Sequence, residues 1–396
     1  MTALHVCLVS EQLPANLIPA LKFRPDRVLL LASAPMQDKA RTLRKVLDDS
    51  GIKAELWATP LADHDIRLIE EHALNLAVEL SGFDGEVVFN ATGGNKLMAL
   101  AFWQTLSSQL GERLRVIYCD TKRNSIEQLL PKPSRESLDH ELSLKACLAA
   151  YDYRIVSQAS DASGWGARVN LRKSLSKWLA RRMHHEKAQA FLGLLNKAAN
   201  DATKASERND LHGLRQAFPS DLWGLRLEAM REISRPELGL IDWKEGEDSL
   251  VFRGADAARY LCGGWLEEYA YHAAVDAGGN EVASGVLIRH KATETSDSKT
   301  DNELDAVVMH HNRLLILECK TASLTQDGKD FQGMLHKLDN VGAHAGGLMA
   351  ERWLLSVREV PDSVRARARA YRIRVIEGAD LGNLSDLLHK HFQVDS

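Results

Sequence analysis

Over the first 130 residues, short apolar runs alternate with stretches whose apolar positions recur every three to four residues. The runs predict strands over 4–10, 27–33, 52–57, 86–90 and 113–120, and the periodic stretches predict helices over 14–21, 36–50, 63–81 and 96–109. Buried strands alternating with helices of 10–20 residues read as an open, mostly parallel α/β sheet. Pro131-Lys132-Pro133-Ser134 then punctuates the chain as a domain boundary. Residues 135–262 are helix-rich, with one hairpin signal over 239–252 and winged-helix character as one reading. From 263 a helical GGWLEEYAYHAA precedes strands over 283–290, 303–310 and 313–320, a helix over 329–341, a strand over 353–357, a helix over 363–370 and a strand over 372–377. That order predicts an α/β/α layer around a mixed sheet. The expected units are 1–134, 135–262 and 263–396.

Composition narrows the class. A hydrophobic fraction of 45% with 26% charged residues is that of a water-soluble globular chain. The net charge of −4 predicts no global attraction to nucleic acid or membrane, so any basic surface must be local. Five scattered cysteines without a CxxC pair, and no apolar run near the roughly 18 residues a membrane helix needs, predict a cytoplasmic protein with no membrane partner.

The candidate chemistry sits in NELDAVVMHHNRLLILECKTASL, residues 302–324. His311-Asn312 fits a two-residue hairpin turn, because Asn tolerates the positive φ such turns need. Counting back from that turn, Asp305 falls opposite Glu318. Directly opposed residues have Cβ atoms about 4.5–5.5 Å apart, so two carboxylates would converge. Like charges repel at that range, and a divalent cation turns the repulsion into a binding site. Lys320 shares the face of Glu318 by strand periodicity and can orient a metal-bound water or stabilise charge on a phosphate. Glu267 or Glu268 on the preceding helix can supply a further carboxylate. The plain alternative is a surface salt-bridge cluster.

A second constellation is VVFNATGGNKLMALAFW, residues 87–103. Gly93 and Gly94 allow close backbone approach, and the amides of Asn95 and Lys96 open a helix, where anions are favoured. Thr92 adds a hydroxyl and Lys96 a charge. The spacing is neither that of a Walker A loop nor of a dinucleotide fingerprint. In open α/β sheets ligands sit beyond the carboxyl ends of the strands, so Ser10-Glu11-Gln12 and Asp120-Thr121 can meet this turn. Between 165 and 187 lie Arg168, Arg172, Lys173, Lys177, Arg181, Arg182 and Lys187 against a single acid, Glu186, which reads either as a solvated helix face or as a phosphate-contacting one. His184-His185, His310-His311 and His389/His391 lack zinc-ligand spacing and read as packed or solvated. Trp103, Trp178 and Trp353 lie in apolar patterns and read as core.

Asp305, Glu318-Cys319-Lys320 and the upstream GGWLEE resemble the PD-(D/E)xK nuclease superfamily, and N-A-T-G-G-N-K-L-M resembles the CRISPR-associated Rossmann fold (CARF) sensor domain. Together the chain is similar to the CRISPR ancillary nucleases of type III systems. The resemblance implies a Rossmann-like CARF domain, a helical middle and a restriction-endonuclease-like C-terminal domain. It implies Mg²⁺ or Mn²⁺ on Asp305, Glu318 and the carbonyl of Cys319, a helix carboxylate at Glu267 with Glu268 as its rival, and Lys320 beside the attacking water. Gln332 or Lys337 is a weak candidate for a further polar residue, and Cys319 itself should turn its thiol to the opposite sheet face. A CARF homodimer, its surface supplied by the Rossmann strands, would bind a cyclic oligoadenylate, foremost cyclic tetra-adenylate, through Ser10, Gln12, Thr92, Gly93, Gly94, Asn95, Lys96 and Asp120. Binding would activate cleavage of DNA and/or RNA. The competing reading is a ligand-responsive transcriptional regulator with an inactive nuclease fold and a DNA-binding module in 165–215. A third is that Thr92 and Lys96 help the sensor domain to degrade its own messenger.

Overall fold

The computed structural model describes residues 2–293, 301–321 and 329–394. The opening alternation folds as β1 (Ala3–Leu8), α1 (Pro14–Phe23), β2 (Arg27–Leu31), α2 (Gln37–Asp49), β3 (Ala54–Leu56), α3 (Ile66–Ser81), β4 (Glu86–Asn90), α4 (Lys96–Leu110) and β5 (Leu114–Asp120). β1 to β5 pair in parallel, in the order β3-β2-β1-β4-β5. The chain builds outward from β1 to one side and from β4 to the other. The carboxyl ends of β1 and β4 therefore flank the point where winding reverses, the place where open α/β sheets bind ligands.

The sheet does not stop at Asp120. β6 (Ser125–Leu130) and β7 (Ser134–Ser137) extend it antiparallel to seven strands. The Pro131–Ser134 punctuation is thus a hairpin turn inside the sheet, because Pro-rich turns reverse a chain as readily as they end a domain.

The middle region is more shared than its composition suggests. After α5 (Leu144–Ala150), β8 (Tyr153–Gln158) joins the C-terminal sheet as its edge. Next come α6 (Trp165–Arg182), α7 (Glu186–Glu207), β9 (Arg215–Ala217), α8 (Leu225–Ile233), β10 (Ile241–Asp242) and β11 (Ser249–Phe252). The last two are the expected hairpin, and β9 completes a three-stranded sheet with them. α9 (Ala255–Arg259) passes through a π-helical turn, Tyr260–Gly264, into α10 (Trp265–Asp276). Within that turn Gly263 takes φ 140°, and a Cβ there would lie 2.8 Å from the Thr321 hydroxyl.

The C-terminal sheet runs β16-β15-β14-β13-β12-β8, from β12 (Glu281–His290), β13 (Asp301–His310), β14 (Arg313–Lys320), β15 (Ala350–Ser356) and β16 (Ile373–Glu377). Helices α11 (Lys329–Ala345), α12 (Asp362–Ala370) and α13 (Leu384–Val394) cover it together with α10. β12, β13 and β14 are antiparallel, while β14, β15 and β16 are parallel. The expected mixed α/β/α layer is therefore present.

One apolar cluster runs from the α1/α2 face of the N-terminal sheet through Leu144, Cys147 and Leu148 of α5 to Ile316 and Leu354 of the C-terminal sheet. The two sheets are joined by a continuous core as well as by the chain. Trp353 is core, whereas Trp103 and Trp178 are only partly buried. No helix among the described residues is long and apolar enough to cross a membrane.

Candidate functional site

The β13–β14 hairpin takes the register its turn dictates. His311 and Asn312 have φ 46° and 64°, and pairing runs from His310↔Arg313 to Ala306↔Leu317. The next position would set Asp305 against Glu318, and there the ladder opens. Asp305 instead places its Oδ2 on the backbone N–H of Cys319 at 2.7 Å. Leu314 and Ile316 of β14 pack into one apolar cluster, and Leu315, Leu317 and Cys319 into another. By the same alternation Glu318 and Lys320 lie on the face opposite the Cys319 thiol. That thiol is packed, and burial followed by the nearby carboxylates holds it protonated.

Glu318 is 8% exposed, and the Lys320 ammonium sits 2.7 Å from its carboxylate. Burial raises the pKa of Asp305 well above the ordinary aspartate value, and the charges of Glu318 and Glu267 raise it further. Glu267 is pushed up to about 7 by burial, then by Glu303 and Glu318, against the pull of Lys320. Burial alone would lower the pKa of Lys320, but Glu318 and Asp305 outweigh it and keep the ammonium charged. Three carboxylates thus crowd a largely desolvated spot with one cation to offset them. A surplus of anionic oxygen of this kind fits a hard divalent cation. As the side chains stand, no three His, Cys, Asp or Glu groups among the described residues form a ready-made cage.

The two helix glutamates have different neighbours. Glu267 feels Lys320, Glu318 and Glu303, while Glu268 turns to Arg172 of α6 at 3.3 Å. Arg172 is buried, also grips Asp256, and lies over the Tyr260 ring at 4.8 Å. This corrects the reading of the basic stretch. Arg168 pairs with Asp256, and Lys173 and Lys177 both pair with Asp276. Four of the seven cations are held in ion pairs within the chain, of which only Arg172 is buried, and Arg182 lies over Trp178. Glu303, one strand repeat before Asp305, was missed because an exposed strand glutamate has no distinctive spacing. Gln332 and Lys337 lie exposed on α11.

At the other end of the chain, the turns after β1, β4 and β5 meet at adjacent strand ends. Asn90 is the hub. Its side chain donates to Ala15 O and Asn16 Oδ1, both at 2.9 Å, and its Oδ1 accepts from the Thr92 amide and hydroxyl. The Thr92 hydroxyl also accepts from Cys119 N at 2.7 Å and so pins β4 to β5. A Cβ at Gly93 would fall 1.8 Å from Leu8 O, and Gly94 has φ 68°. Asn95 caps α4 through Met98 N at 3.0 Å, and Lys96 is exposed at the first helical position. Gln12 accepts from the Tyr151 hydroxyl at 3.0 Å. Asp120 caps Lys122 and Arg123; although burial opposes it, the Arg123 contacts lower its pKa. Ser10 is half-buried at the end of the β1 turn. The predicted ligand residues share one edge, but Thr92, Asn95, Gln12 and Asp120 are partly used in building it.

The family described as "Card1 CARF domain" matches residues 4–146, and the family described as "Card1-like, endonuclease domain" matches residues 254–394. No curated protein matches the chain. Among solved structures, protein VC1899 from Vibrio cholerae superposes with a TM-score of 0.83 at 20% identity, covering 100% of this chain and 99% of its own. Can2 from Sulfobacillus thermosulfidooxidans, in complex with cyclic tetra-adenylate, superposes at 0.74 and 22% identity over 99% and 97%. A type III CRISPR defence DNA nuclease activated by cyclic oligoadenylate superposes at 0.53 and 18%, over 91% of this chain and 46% of that one. At these identities the likeness is one of fold.

Proposed function

We propose that this chain, which belongs to the CRISPR ancillary nucleases that join a Card1 CARF domain to a Card1-like endonuclease domain, is a metal-dependent endonuclease of DNA and/or RNA switched on by a cyclic oligoadenylate, foremost cyclic tetra-adenylate. The observation that carries the chemistry is the crowding of Asp305, Glu318 and Glu267 around Lys320. Asp305, Glu318 and the Cys319 carbonyl would hold Mn²⁺ or Mg²⁺, with Glu267 at the rim. The ion would supply an activated water and a counter-charge for the scissile phosphate. Before an ion binds, burial pushes Glu267 up to about 7, so it can hold a proton at neutral pH and give it up when the cation binds. Lys320 stays an ammonium, so its part is to orient and to stabilise negative charge rather than to abstract a proton.

The regulatory half rests on the N-terminal edge and on one exposed surface. Lys96, the N-terminus of α4 and the close glycine turn form an edge suited to phosphates. Cyclic tetra-adenylate is the ligand bound in the Can2 structure. The central parallel strands of the sheet are largely buried, so the surface suited to a homodimer lies on α3 and α4. There Leu74, Val78, Leu97 and Leu100 are exposed, Val78 at 72% and Leu100 at 60%. A contiguous apolar face of that kind marks an association surface. A two-fold dimer on it would present each edge twice to a ring of phosphates. The regulator reading has less support, since most of its basic stretch is consumed in ion pairs.

The test is cleavage of supercoiled DNA, single-stranded DNA and RNA with Mn²⁺, with and without cyclic tetra-adenylate. The expected result is ligand-dependent cutting that disappears in a Glu318→Ala/Lys320→Ala variant. Salt-dependent binding of duplex DNA with no cutting under any condition would favour the regulator instead.

A further inference from the structure

The register of β12 against β13 is regular on both sides of one gap. Ser284 pairs with Ala306 and Val286 with Leu304, while Gly285 and Asp305 between them are unpaired. The ladder to β14 also ends at Ala306. Asp305 thus stays in register opposite Gly285 without forming a ladder pair with it, and the ladder to β14 stops one residue short of it. The facing pattern breaks at the same place. Ala283 and Val286 pack into one apolar cluster although they are three residues apart, and so do Leu304 and Val307. Strict alternation would send each pair to opposite faces. Both strands therefore turn over together at Gly285 and Asp305.

Two features make the turnover possible. Gly285 has φ 58°, and a Cβ there would lie 2.7 Å from that of Ala159 in the turn that follows β8. Only glycine meets both demands without strain. The Asp305 carbonyl, at the break in the ladder, accepts the hydroxyl of buried Ser284 at 3.1 Å. The amide of Ser284 in turn points to Ser160 Oγ at 3.4 Å. That hydroxyl ties the Asp305 backbone to β12 at the point where the pairing is interrupted. The opening frees the Asp305 carboxylate to lean across to Cys319 N instead of standing in a regular ladder.

We infer that Ser284, with Gly285, is a positioning residue for Asp305. It holds the backbone carbonyl and thereby fixes where the carboxylate presents its second oxygen. For catalysis this rests on the nuclease reading above; for geometry it does not. The experiment uses the full chain and two variants, Ser284→Ala and Ser284→Thr. Hydrogen exchange of the peptide spanning 315–321 reads the Asp305–Cys319 bond without metal or substrate, and a calorimetric Mn²⁺ titration without nucleic acid reads the site. In Ser284→Ala, exchange at that peptide should speed up about 10-fold while β15 stays protected. Mn²⁺ affinity should fall by about 10-fold, the usual cost of removing a partner behind a metal ligand. Ser284→Thr keeps the hydroxyl and should stay within about three-fold of the parent chain. Unchanged exchange at 315–321 in Ser284→Ala, a loss spread equally over β15, or a Thr variant as impaired as Ala would overturn the inference. A parent chain that binds no Mn²⁺ would overturn the metal reading instead, and the exchange arm would still decide the role of Ser284.

Discussion

Asp305 and Glu267 are carboxylates that the fold makes reluctant to ionise, and that reluctance has a measurable sign. Glu267 and Glu268 titrate at about 7 in the folded chain, and Asp305 is shifted the same way, all above their ordinary values. Between about pH 4.5 and 7 these carboxyls thus hold more protons in the folded chain than in the unfolded one, and their contribution to stability falls as pH rises through that window. A bound cation should reverse the preference and expel protons. Mn²⁺ titrated at pH 6 in two buffers of different ionisation heat should release on the order of one proton per ion, shrinking above pH 8. Release that does not depend on pH would contradict the assignment. Arg172 carries a separate stability prediction. Arg172→Ala strands Glu268 beside the core, at a cost of about 2–3 kcal/mol in urea unfolding. That is the low end for a broken buried pair, because Glu268 can take up a proton. A charge count along the sequence cannot show this, since the partners of Arg172 are 84 and 96 residues away.

The β13–β14 hairpin is the element most plainly written in the sequence. Two residues that accept positive φ fix a register, and the register brings Asp305 to Glu318 whatever the rest of the chain does. What was not legible is the opening of the ladder at Asp305, because its causes, Ser284 and Gly285, lie on another strand and look like an ordinary alternating run. The hairpin tip holds a second feature of this sort. Asn312 is buried, accepts from Leu142 N at 2.8 Å and donates to Asn124 Oδ1 and His140 O, both at 3.1 Å. Asn124 lies in the β5–β6 turn, directly after the ligand-edge residue Asp120. Replacing Asn312 by Ala leaves the Leu142 amide without its side-chain acceptor and puts a residue that tolerates the left-handed region less well than Asn at φ 64°. We expect it to cost about 2–3 kcal/mol of stability by urea unfolding. Ligand stimulation of cleavage should fall by at least about 10-fold, while ligand still binds. Undiminished stimulation would remove the tip from the coupling.

At the scale of the whole molecule, the N-terminal and C-terminal sheets share a core through α5 and touch again at the hairpin tip, where Arg313 also donates to Lys122 O. A change at the ligand edge therefore has a packed route to the strands that carry Asp305 and Glu318. The alternation of strands and helices was enough to read each domain, but not the seam between them. β7, α5 and β8 are short and mixed in pattern, and their place is set by what they pack against. The exposed apolar residues of α3 and α4 make the dimer testable on its own. Val78→Asp with Leu100→Asp should shift the chain from dimer to monomer in analytical ultracentrifugation and abolish ligand-stimulated cleavage. A variant that stays dimeric would place the interface elsewhere.

The central claim is that a cation held by Asp305 and Glu318 cuts nucleic acid when the distant edge is occupied. The most direct measurement is the rate of plasmid nicking with Mn²⁺ and cyclic tetra-adenylate for the parent chain and for Asp305→Asn, whose amide oxygen can still accept from Cys319 N. The account predicts cutting by the parent only when ligand is present, a loss of at least about 100-fold in the variant, and a metal-free melting temperature that does not fall, because the substitution removes a repelled charge. Equal nicking by Asp305→Asn and the parent chain would contradict it.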